Sequence, residues 1–124
     1  MLCHVLIIED EPLIALDLEA MLLRCGATSV SLAETEEEAV TEAACARPDL
    51  IASDVRLRSG SGPHAVEVIT QAMGPIPVIF ITGNQDFRAD PGSPARVLAK
   101  PVHERALAQA FNDVAADCKH LKHS

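Results

Sequence analysis

Five short apolar runs, each separated from the next by a longer stretch, constrain this chain more than any other feature. The runs are residues 3–8, Ser29–Ala33, Leu50–Asp54, residues 78–81 and Arg96–Ala99. They are too short for helices, and the first, third and fourth are nearly continuous in Val, Ile and Leu. That pattern suits strands buried on both faces. Between them, Ile14, Leu18, Met21, Leu22 and Cys25 recur at helical spacing, with Pro12 in the first turn and Gly26 at the end. Thr35 followed by Glu38 reads as a capping box for a second helix, which carries Ala39, Val40, Ala43 and Ala44 and stops at Pro48. Pro63 starts a third helix, with Ala65, Val66, Ile69 and Met73 on one face. Pro91, Gly92 and Pro94 leave room for no more than about one helical turn between residues 84 and 94. Leu107, Ala110, Phe111, Val114, Ala115 and Cys118 define a final helix. Strands alternating with helices predict an α/β fold with right-handed crossovers and a parallel sheet covered on both faces.

Length and charge narrow the function classes. A chain of 124 residues is one domain, here 1–124, with a core over 3–118 and a polar, frayed tail over 119–124. Eighteen acidic against ten basic residues give a formal charge of −8, which argues against binding nucleic acid, and three Phe with no Tyr or Trp argue against base stacking. A chain that is 48% hydrophobic is too apolar for disorder. Cys3, Cys25, Cys45 and Cys118 lack metal-ligand spacing and fall within apolar-periodic stretches, so they read as buried structural thiols of a reducing compartment. No leader precedes the first run and no apolar run approaches about 18 residues. The expectation is a soluble, cytoplasmic protein. His4 reads as a packed strand residue, and His64 and His103 as surface residues at helix starts.

Open parallel sheets bind ligands at the carboxyl ends of their strands. There the sequence places Glu9, Asp10, Asp54, Thr82 and Lys100. Each alone has an ordinary explanation. Acids favour helix starts, Asp suits strand-end turns, Thr suits strands, and an isolated Lys is usually at the surface. Together they describe three carboxylates, a hydroxyl and an ammonium on one sheet edge. Three carboxylates so close need a counter-charge, and oxygen-only ligands favour Mg²⁺. Such a set suits phosphoryl chemistry with a carboxylate nucleophile.

The motifs that carry these residues are Val-Leu-Ile-Ile-Glu-Asp-Glu-Pro (5–12), Pro-Asp-Leu-Ile-Ala-Ser-Asp (48–54), Pro-Val-Ile-Phe-Ile-Thr-Gly (77–83) and Lys100-Pro101. In order and spacing they resemble the receiver domain of two-component response regulators, the CheY-like fold, over residues 3–118. The resemblance implies a three-layer flavodoxin-like (βα)5 architecture with strand order 2-1-3-4-5 and a shortened or irregular fourth helix. It implies that Asp54 is the phosphoacceptor, that Glu9, Asp10 and Asp54 hold Mg²⁺ with the Arg56 main-chain carbonyl, and that Thr82 and Lys100 contact phosphoryl oxygens. A cis Lys100-Pro101 bond is implied as well. The opening and fourth-strand motifs look most like alphaproteobacterial receivers, both stand-alone regulators and those of general-stress anti-sigma switches. The implied partners are a sensor histidine kinase, HWE-type kinases among them, or a histidine phosphotransfer protein, with no nucleic acid or membrane.

Two departures stand out. Receivers usually carry Tyr or Phe three residues before the lysine, where this chain has Val97, and the broken fourth helix alters the usual partner face. Gly83 leaves the site open to small groups, while Arg56 and Asn84 occupy positions that tune self-dephosphorylation in this family. The expectation is a single-domain response regulator that is phosphorylated on Asp54 and acts through protein contacts. About six residues remain after the last helix, too few for an output domain. The rivals are a phosphorylation-independent adaptor, a receiver cut from a longer regulator, and a Mg²⁺-dependent phosphatase, for which Ser53 and Arg56 supply no general acid. The chain is thus expected to be a signalling phosphoacceptor, not an enzyme.

Overall fold

A computed structural model describes residues 3–89 and 95–123, with side chains of the last helix as far as Val114. The order is β1 (His4–Ile8), α1 (Pro12–Cys25), β2 (Ser29–Ala33), α2 (Glu36–Cys45), β3 (Leu50–Asp54), α3 (Gly62–Met73), β4 (Val78–Thr82), β5 (Arg96–Ala99) and α4 (Glu104–His123). All strand pairs are parallel, in the order β2-β1-β3-β4-β5. This is the flavodoxin-like sheet that the receiver resemblance implies.

Period-2 alternation sorts the apolar residues into two layers. Val5, Ile7, Leu50, Ala52, Ile79 and Ile81 face α1 and α4, meeting Leu18, Leu22, Leu107 and Phe111. Leu6, Ile8, Ile51, Val78 and Phe80 face α2 and α3, meeting Ala39, Ala43, Ala65 and Ile69. Both faces of β1, β3 and β4 are therefore covered, which explains their continuous apolar runs. Gly26 ends α1 at φ 128°, a backbone conformation that disfavours a Cβ, and its N–H and that of Ala27 close onto Leu22 O.

Several local expectations need correction. Thr35 caps α2 through Glu38 N–H at 3.1 Å, but the Glu38 carboxylate takes the N–H of Glu34, not of Thr35, so the box is displaced by one residue. Cys45 is exposed, because it sits on the open side of α2's last turn, while Cys3 and Cys25 are half-buried; the Cys118 side chain lies outside the described residues. The helical backbone runs through the expected tail to His123, since neither Gly nor Pro interrupts residues 119–123. Residues 84–89 contain one turn and no helix, as the proline spacing predicts, and 90–94 lie outside the described residues. No described helix is long and apolar enough to cross a membrane.

Candidate functional site

Register brings the site together. Ile8 pairs with Ser53, Asp54 with Ile81, and Thr82 with Ala99, so the strand ends fall level. Backbone bonds carry the ladder past those ends: Glu9 N–H to Ala33 O, Val55 N–H to Ile81 O, and Lys100 N–H to Thr82 O. Alternation then assigns faces. Glu9 follows Val5 and Ile7, Asp54 follows Leu50 and Ala52, and Lys100 follows Leu98, all residues of the α1/α4 layer. The three side chains thus converge on one side of the sheet edge. Lys100 Nζ lies 2.9 Å from Asp54 Oδ2 and 3.6 Å from Glu9 Oε1. The Lys100-Pro101 bond is cis, as the resemblance implies.

Glu9, Asp10 and Asp54 each offer a carboxylate oxygen within 4.8 Å of the others. Three carboxylates against the Lys100 ammonium and the exposed Arg58 guanidinium, 3.9 Å from Asp10, leave a surplus of negative charge. Glu9 bears the strain of this. It is 1% exposed, and its Oε1 accepts no hydrogen bond. Burial, with Asp54 close by, raises its pKa from 4.5 to about 7, against the pull of the Glu11 N–H and Lys100. Burial also works against the Lys100 ammonium, but its hydrogen bond to Asp54 and the charges of Asp54 and Glu9 prevail and raise its pKa. An oxygen-only donor set with surplus negative charge and a buried carboxylate oxygen that accepts no hydrogen bond fits a small divalent cation such as Mg²⁺.

Asp10 and Asp54 open into a cleft of about 730 Å³, lined also by Arg56, Arg58, Thr82, Gly83, Asn84 and Lys100, while Glu9 is buried beside it. All five strand-end residues named from the sequence reach this region. Thr82 is buried there, but its Oγ1 accepts the Asn84 N–H at 2.9 Å and does not bond Asp54. Val97 is 38% exposed. An edge-to-face pair, Phe80 with Phe87 at 5.5 Å, packs instead on the α2/α3 side; nothing in the sequence spacing announced it. The sequence also gave no sign of Arg58, whose backbone N–H donates to Asp10 Oδ2 at 2.7 Å. A main-chain donor carries no side-chain signature. His4 bonds Ser29 and Ser31 through its two ring nitrogens, as a packed strand residue should, and His64 and His103 are exposed.

A doubly wound five-stranded sheet with acids and a lysine at its carboxyl edge defines the receiver class. The family model for the response regulator receiver domain matches residues 5–112, and the chain belongs to that family. It is 42% identical over 105 residues to the phyllosphere-induced regulator PhyR of Methylorubrum extorquens, covering 82% of this chain and 39% of that protein. The crystal structure of the anti-anti-sigma factor PhyR from Bartonella quintana superimposes with a TM-score of 0.83 at 33% identity, covering 98% of this chain and 51% of that one. The receiver domain of PhyR from Erythrobacter litoralis gives 0.75 at 33% identity, over 89% and 87%. The chain thus spans about half the length, or less, of the full-length relatives it matches.

Proposed function

We propose that the chain is a phosphoacceptor that takes a phosphoryl group from a phosphohistidine onto Asp54 and signals by changed protein contacts. The observation that carries this reading is the carboxylate trio, with Glu9 and Asp54 buried and Asp10 half-buried, and Lys100 Nζ 2.9 Å from Asp54 Oδ2. Glu9, Asp10 and Asp54 would hold Mg²⁺, with the Arg56 carbonyl from the cleft wall. When bound, the cation supplies the positive charge that offsets the carboxylates and the incoming phosphoryl oxygens. An Asp54 carboxylate oxygen forms a bond to phosphorus as the P–N bond of the donor breaks; the electron pair leaves with the imidazole nitrogen. Lys100 already sits against Asp54 and can follow a phosphoryl oxygen without a large movement. Thr82 can offer its hydroxyl hydrogen to another oxygen by turning it from the Asn84 carbonyl, 3.5 Å away.

The acyl phosphate acts as a switch, so the chain is a signalling acceptor and not an enzyme with a separate substrate. Added charge at one point biases a two-state surface. The donor would be a sensor histidine kinase, HWE-type kinases among them, or a phosphotransfer protein. Likeness to PhyR proteins, one of them described as an anti-anti-sigma factor, supports a downstream protein target in sigma-factor control. A cytoplasmic location follows from such a donor.

The test is heteronuclear NMR with acetyl phosphate or beryllofluoride. Wild type should show Mg²⁺-dependent shifts around residues 54, 82 and 100, absent in Asp54→Asn. No response in wild type, together with no labelling by a cognate kinase, would favour the phosphorylation-independent adaptor.

A further inference from the structure

The segment after the phosphoacceptor is a small closed hairpin. Gly62 N–H bonds Val55 O at 3.0 Å, and Arg56 bridges Ser61 in antiparallel fashion. The hairpin is held at two places by carboxylates from other elements. At its tip, Arg58 N–H donates to Asp10 Oδ2 at 2.7 Å, with the guanidinium Nε 3.9 Å from the same oxygen. At its return, Glu36 from the first turn of α2 accepts the Ser61 N–H on Oε1 at 2.6 Å, while its Oε2 meets His64 Nδ1 at 2.8 Å. Gly60 makes this approach possible. Its φ is 89°, and a Cβ there would fall 2.5 Å from the Glu36 side chain. Both oxygens of Glu36 are therefore committed, and one oxygen of Asp10 is fixed by the hairpin it restrains.

We infer that Glu36 is a positioning residue for the acidic site: it anchors the 55–62 hairpin so that the Arg58 amide holds Asp10 Oδ2 and leaves the second Asp10 oxygen to a cation. This rests on the reading of Glu9, Asp10 and Asp54 as a Mg²⁺ site. Partners that orient a ligand carboxylate typically matter to affinity by a factor of ten or more. Glu36 itself touches none of the three acids, and its first-turn place on α2 otherwise accounts for an acidic residue without any functional role.

The experiment titrates Mg²⁺ into wild type, Glu36→Ala and Glu36→Gln by calorimetry, with amide hydrogen exchange on the same samples. Glu36→Ala should weaken Mg²⁺ about tenfold and speed exchange at both Ser61 and Arg58. Glu36→Gln keeps an acceptor for the Ser61 N–H and should restore most of the affinity and the protection. A helix-start acid with no link to the site would leave Mg²⁺ affinity unchanged in Glu36→Ala, and that result overturns the inference. Equal weakening in Glu36→Ala and Glu36→Gln overturns it too, because charge alone would then be responsible. If wild type itself takes up no Mg²⁺, the cation-site reading fails first and this inference falls with it.

Discussion

Replacing Glu9 by Gln should stabilise the cation-free chain. Glu9 is 1% exposed, its Oε1 has no hydrogen bond, and its pKa is raised from 4.5 to about 7. A raised carboxyl pKa means that the folded state binds the proton more tightly than the unfolded state. The contribution of Glu9 to wild-type stability therefore falls as pH rises from about 4.5 to about 7, then levels off. At about 1.4 kcal/mol per pH unit, the gap from 4.5 to about 7 sets an upper limit of roughly 3.5 kcal/mol for the cost of the ionised group. Gln still accepts the Glu11 N–H that Glu9 Oε2 holds at 3.2 Å, but Lys100 loses a partner at 3.6 Å. That offset brings the expected net gain to about 1–2 kcal/mol at pH 8. With a urea slope of about 2 kcal/mol per molar, the midpoint should rise by roughly 0.5–1 M. The chain has no Trp or Tyr, so far-ultraviolet circular dichroism is the suitable probe. At pH 5 the two chains should unfold almost together, because the wild-type carboxyl is then mostly protonated in the fold. Mg²⁺ should narrow the difference at pH 8 by stabilising wild type in preference to the variant. A Gln variant that is less stable than wild type at pH 8, or an advantage that does not change between pH 5 and pH 8, would show that Glu9 is not held against its own charge.

Three further substitutions probe the frame around the site. Gly62→Ala should cost about 3 kcal/mol or more, lowering the melting temperature by roughly 10 °C, because its Cβ would lie 1.9 Å from Asp54 O and 2.3 Å from Ser53 Oγ. Gly83→Ala is the control: no described atom lies within 4 Å of its Cβ, so its melting temperature should stay near wild type, and a fall as large as that of Gly62→Ala would refute the steric account. Val97→Ala should leave phosphorylation-dependent partner binding mostly intact, since Val97 is half-exposed and supplies no aromatic ring to a switch. Complete loss of regulated binding in a folded Val97→Ala variant, measured against the captured partner by calorimetry, would contradict this.

The parts of this fold that were legible in the sequence are those where side chains state their own surroundings. The continuous runs at Leu50–Asp54 and Val78–Thr82 are buried on both faces because helices cover both, and a continuous run says just that. Thr35 and the Pro12 start of α1 were readable because caps and first-turn prolines leave a chemical mark. The site was legible for a deeper reason. In a parallel sheet of level strand ends, alternation alone decides which side a residue at the edge takes. Glu9, Asp54 and Lys100 each sit in phase with the α1/α4 layer, so their meeting needed only the strand assignments. What stayed hidden depends on the backbone or on contacts between turns. The Arg58 amide on Asp10 could have come from almost any residue at that position, and Ser61 likewise serves Glu36 through its N–H. The Phe80–Phe87 contact joins a strand to a turn whose path no periodicity describes. Glycines are the exception that bridges both cases. Gly60 and Gly62 stand in a polar stretch of the sequence, yet each marks a place where another group comes too close for a Cβ. Within the described residues, the side chains of the acidic site were written in the sequence, and the glycines were its record of how tightly the loop beside them is held.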